Sequence, residues 1–100
     1  MSLLTNEDLK NLPALYSTED IKDPIVQTKL FHPFGSATWF LTEYDPENKL
    51  GFGLVHIQET ELGYIPMEEI ENIRVHGLGV ERDSSFKPKP LSEARKEAGL

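Results

Sequence analysis

Between Ala37 and Ile65 the chain holds three β-prone runs punctuated by turn residues, and no other stretch constrains the fold as tightly. Ala37–Tyr44 and Leu50–Gln58 read as antiparallel partners, and Glu61–Ile65 as a third strand after a tight Glu59-Thr60 connection. Asp45-Pro-Glu-Asn-Lys49 is turn chemistry: Pro46 presets φ, and Asn48 tolerates a left-handed conformation. Pairing Tyr44 with Leu50 sets Thr42 against Phe52, Leu41 against Gly53 and Trp39 against Val55. That register puts Trp39, Leu41, Val55 and Ile57 on one face and Phe40, Phe52 and Leu54 on the other. Two apolar faces need cover on both sides, which the ends of the chain must supply. Trp39 is therefore expected in the core. Gly51 and Gly53 leave room on the Trp39 face, either for a neighbouring side chain or for a ligand groove. Their spacing is no dinucleotide fingerprint, because no third glycine or following helix accompanies it.

The flanks supply short elements. Thr5 with Asp8 three residues on reads as a capping box for a helix that Pro13 must end. Leu9 and Leu12 are expected on its inner face, with Leu4 as a staple. Ser17–Asp20 is a second capping signal, cut short by Asp23-Pro24. Ile25–Phe31 is expected to lie as one strand beside the Trp39 strand, with Val26, Thr28 and Leu30 on one side. Pro66–Ile73 predicts a second helix, with Glu68 and Glu69 at its positive end and Ile70 and Ile73 facing the sheet. Val80–Asp83 suits an edge strand, and Lys87-Pro-Lys-Pro90 a polyproline II run on the surface. Residues 91–98 predict a last short helix with too few apolar groups to dock tightly, leaving 91–100 loosely held. The expected architecture is one α+β domain over residues 1–100. It has an antiparallel meander of about four strands and two or three short helices packed on it.

Chemistry is sparser. The absence of cysteine removes disulfides, thiolate catalysis and cysteine-ligated zinc. His32, His56 and His76 lack ligand spacing, so neither a metal nor any cofactor is expected. Asp45, Glu47 and Lys49 echo an acid-x-lysine nuclease element, but a hairpin tip is too exposed to preorganise metal. No serine–histidine–acid order, phosphate loop or basic–aromatic stripe is present. The first residues lack the basic and apolar regions of a signal peptide, and no apolar run approaches the roughly 20 residues of a membrane span. The expected location is the cytoplasm, away from any membrane.

Charge is uneven within the net −7. Residues 31–72 hold eight acids against Lys49 alone, whereas residues 73–100 hold six basic residues against four acids. An acidic middle aids solubility, repels duplex nucleic acid and suits a basic protein partner. Glu81-Arg82-Asp83 reads as a structural ion pair, or as a recognition patch beside Phe86.

Several segments together carry a resemblance. They are Leu12–Glu19, Thr38–Asp45, Phe52–Val55, Glu61–Tyr64, Glu81–Asp83, Phe86 and Lys87–Glu93. In this order they resemble the small bacterial family of domain of unknown function 2958. The resemblance implies compact cytoplasmic proteins often carried by plasmids and other mobile elements, with no established activity or catalytic residue to transfer. The favoured expectation is a non-catalytic interaction module serving mobile-element biology. Its expected surface comprises Glu43, Glu59, Glu61, Tyr64, Glu68, Glu81, Arg82 and Asp83, with the aromatic face around Trp39 and Tyr64. The alternative is a small metal-dependent hydrolase or nucleic-acid-processing enzyme on which Glu43, Glu81 and Asp83 converge.

Overall fold

A computed structural model describes residues 2–100. In chain order the elements are α1 (Asn6–Asn11), β1 (Ile25–Val26), β2 (Thr28–Phe31), β3 (Thr38–Asp45) and β4 (Leu50–His56), followed by β5 (Thr60–Pro66), α2 (Met67–Glu71), β6 (Glu81–Arg82), β7 (Lys89–Pro90) and α3 (Leu91–Glu97). The fold is α+β. Its antiparallel sheet has five strands in the order β5-β4-β3-β2-β6, and β1 pairs with β7 in a separate two-stranded piece. The expected meander is its centre, with one strand more than anticipated. No helix among the described residues is long and apolar enough to cross a membrane.

Each sheet face carries its own core. Trp39, Leu41 and Tyr44 pack with Leu4, Leu12, Leu30, Ile65, Met67, Ile70 and Val80 on the first. Trp39 is only 3% exposed, so it is a core residue and forms no part of an aromatic docking face. Phe40 and Leu54 pack with Val26 and Ala94 on the second. Opposite faces are thus covered from both ends of the chain, the first by α1 with α2 added from after the meander, the second by α3.

The β3–β4 register matches expectation at Leu41↔Gly53 and Trp39↔Val55, then shifts. Glu43 faces Phe52, Tyr44 faces Gly51 and Asp45 faces Leu50, which leaves Thr42 as the extra residue of a bulge. Thr42 Oγ1 donates to the Phe52 carbonyl at 3.1 Å. The bulge exchanges the faces of the next two residues. Tyr44 joins the Trp39 core, and Glu43 moves to the Phe40 face. Gly53 serves this geometry, because a Cβ there would lie 1.8 Å from the Phe40 carbonyl oxygen. The space over Gly51 is taken by Leu41 and Ile65, so no groove opens over the glycines.

Other corrections are local. Thr5 and Asp8 form the capping box, but Leu9 is 41% exposed, and Asp8 is the α1 residue that turns inward. Ile25–Phe31 breaks at Gln27, whose N–H donates to the Leu41 carbonyl at 2.9 Å. Val26 consequently enters the second core while Leu30 enters the first. Lys89 and Pro90 pair with β1 instead of running unpaired. The C-terminal helix is firmly held: Ala94 is buried, and Asp23 accepts from the Ser92 N–H (2.9 Å) and hydroxyl (2.6 Å).

Candidate functional site

Two cross-strand rows lead from the sheet centre to its β5 edge. One runs Phe40–Leu54–Leu62 and the other Glu43–Phe52–Tyr64. The bulge puts both rows on the same face, since side chains would otherwise alternate between Phe40 and Glu43. Helix α3 covers the Phe40–Leu54 end of the first row. The loop before β1 covers the Glu43 end of the second. Leu62 and Tyr64 are left 57% and 51% exposed. Between them and that loop lies a cleft of about 330 Å³, walled by Tyr16, Ile21, Pro24, Phe52, Leu62 and Tyr64.

Glu43 holds the loop in place. Its Oε1 accepts from the Tyr16 N–H at 2.8 Å, and its Oε2 accepts from the Thr18 N–H at 2.9 Å and from the Thr18 hydroxyl. Tyr16 adopts φ +69°, a strained left-handed conformation for a tyrosine. That geometry carries its ring across to Tyr64, and the two hydroxyls lie 2.8 Å apart. Tyr64 stacks edge-on against Phe52 at 5.4 Å. The bond to Tyr16 favours the neutral Tyr64 phenol and, with desolvation and the charges of Glu43 and Glu19, raises its pKa above the ordinary tyrosine value. Glu19 and Glu43 outnumber Lys22 among the charged groups lining the cleft.

The backbone edge beside the cleft is open. Ile57 N–H donates to the Glu59 carbonyl and Met67 N–H to that of Lys49, at 3.3 and 3.0 Å. In this antiparallel register the odd-numbered residues of β5 therefore exchange ladder bonds with β4. The N–H and C=O groups of Thr60, Leu62 and Tyr64 point away from the sheet. No hydrogen bond outside the β4–β5 ladder uses them among the described residues.

The sequence-derived surface splits into three. Glu59, Glu61, Tyr64 and Glu68 are exposed on or near β5. Glu43 is only 3% exposed, with its oxygens engaged by the loop, so its place on an exposed acidic face is corrected to a buried anchor. Glu81, Arg82 and Asp83 lie at the opposite edge, where β6 pairs with β2. There Arg82 forks onto buried Asp8 (2.6 and 2.7 Å), and Asp83 pairs with Lys29 at 3.6 Å. Glu81 and Asp83 stand two strands from Glu43, and the three do not converge. Among the described residues no group of three His, Asp or Glu side chains could hold a metal ion. The histidines serve locally: His32 accepts from the Phe34 N–H at 3.0 Å and lies 2.9 Å from the Leu78 carbonyl.

Tyr16, Ile21 and Leu62 were not singled out from the sequence. For Leu62 a signal existed, because alternation in Glu61–Ile65 puts it beside Tyr64 on a face the chain has few apolar residues left to cover. Tyr16 and Ile21 sit in a turn-rich loop without periodicity, and their meeting with β5 depends on Glu43.

Fold and site define a small antiparallel-sheet protein with one long open edge beside an apolar cleft. The chain belongs to the family described as Protein of unknown function (DUF2958), which matches residues 3–99. No curated protein and no solved structure matches it.

Proposed function

We propose that this protein is a non-catalytic accessory module that binds another protein at the cleft and the β5 edge. The observation that carries the reading is the clustering of Tyr16, Ile21, Leu62 and Tyr64, large apolar side chains each more than half exposed, around one cleft. Apolar groups scattered singly need no explanation, whereas a contiguous group beside charged residues is typical of a docking surface. Tyrosines suit the role, since they offer rigid contact area and a polar tip. The proposed setting, the bacterial cytoplasm in the service of a mobile genetic element, rests on the family resemblance.

The test places the photocrosslinking residue p-benzoylphenylalanine at position 64, and at Glu47 on the hairpin tip as a control, in cells of a bacterial host. The reading expects discrete protein adducts from position 64 that are absent from position 47. Adducts of equal yield and pattern at both positions, or none at position 64, would overturn it.

A further inference from the structure

Resting on that reading, we infer that β5 takes up an extended, basic segment of the partner protein as an added strand of the sheet. Three outward N–H and three outward C=O groups at Thr60, Leu62 and Tyr64 form a template for main-chain pairing, which requires no particular side chains. The opposite edge is the two-residue β6, too short to offer one. Edge strands are commonly closed by proline, bulges or covering loops. In β5 the sole proline is the last residue, Pro66, and nothing lies within 4 Å of the position a Gly63 Cβ would take. A side chain of the incoming strand beside Gly63 therefore has open space on the face away from the cleft.

Side-chain alternation along β5 specifies what such a strand carries. Residues opposite Leu62 and Tyr64 fall over the cleft and are apolar or aromatic. Residues opposite Glu61, and beside Glu59, fall on the other face and are Lys or Arg, since opposite charges across a strand pair attract. The surroundings agree: residues 31–72 carry eight acids and one lysine, and that lysine, Lys49, already lies 3.5 Å from Glu68. A second copy of this chain suits the edge poorly. Pairing β5 with β5 brings two chains of net charge −7 together, with Glu59 and Glu61 of both along one seam.

The test selects binders from a random dodecapeptide library against the intact chain, then compares Leu62→Val with Leu62→Pro. Valine keeps the outward N–H; proline removes it where an edge strand tolerates the loss, because that N–H makes no ladder bond. The inference expects sequences that alternate apolar residues with Lys or Arg. Their affinity is about tenfold or more weaker in L62P than in L62V, the pair differing at the outward N–H, and weakens in Glu61→Lys. Matching melting temperatures for L62P and L62V exclude unfolding as the cause; if L62P has unfolded, an amide-to-ester change at Leu62 replaces it. Binders that are acidic or do not alternate, binders insensitive to loss of the N–H, an empty selection, or dimerisation of the free chain through β5 in sedimentation would each overturn the inference. Adducts at position 64 that persist in the L62P background would sink strand addition while leaving the binding-module reading intact. Their absence from the wild-type background would sink that reading itself.

Discussion

Among the described residues the buried Glu43 carboxylate forms no ion pair; three donors from one loop satisfy it instead. Hydrogen bonds to a charged acceptor contribute about 1.5–3 kcal/mol, more than neutral ones. Glu43→Gln turns one acceptor oxygen into a donor that must face the Tyr16 or the Thr18 N–H. The variant is expected to lose about 2 kcal/mol by urea denaturation, with faster amide exchange at Tyr16 and Thr18. An unchanged midpoint would contradict the anchor role. Asp8 is the second buried acid. Burial pushes its pKa up, but bonds from the Arg82 guanidinium, the Thr5 N–H and the Thr28 hydroxyl prevail and hold it below the usual aspartate value. Because the folded value lies below the unfolded one of about 3.9, this stabilisation is present above about pH 4. It is lost as pH falls through the folded value. Asp8→Asn is expected to cost about 3 kcal/mol at neutral pH and to flatten the acid limb of a stability-versus-pH curve. The cap was legible in the Thr5–Asp8 spacing. Arg82 was not, since it lies 74 residues away and only the folded sheet brings it to α1.

At the scale of elements, the Thr42 bulge decides where the site is. A regular hairpin would turn Glu43 toward the Trp39 core and Tyr44 toward the cleft. The bulge reverses both, removing a charge from the core and freeing Glu43 to hold the loop. The sequence predicted the three meander strands, the strand beside Trp39 and two apolar faces, because alternation and turn residues are local signals. The partners of Glu43 lie in a loop far earlier in the chain, so only the glycines at positions 51 and 53 hinted at the bulge. Gly53→Ala is expected to cost at least about 3 kcal/mol, since backbone must move to admit the Cβ. Gly63→Ala, at the β5 residue paired with Gly53 but in open space, should lie within about 0.5 kcal/mol of the parent. Thermal unfolding of the two variants checks this, and equal losses would refute the bulge geometry. The C-terminal helix shows the same limit of sequence reading. Its few apolar groups suggested loose docking, yet one small residue, Ala94, lets it approach Phe40 and Leu54 closely.

Across the whole molecule, charge and open backbone meet on one side. The acidic middle of the chain supplies β5 and the start of α2, so association with a basic partner is expected to slow as salt rises. Reversing Glu59, Glu61 and Glu68 to lysine should lower the association rate about tenfold at low salt while leaving the melting temperature near that of the parent. A triple variant that associates as fast as the parent would contradict electrostatic steering. Residue-resolved amide hydrogen exchange along residues 60–65 reads whether the β5 edge is open in the free chain and closed in the complex. Glu61, Gly63 and Ile65 should exchange slowly in both states. Thr60, Leu62 and Tyr64 should exchange fast in the free chain and become protected when the partner binds. Protection of those three amides already in the free chain, or their continued fast exchange in the complex, would contradict strand addition at β5.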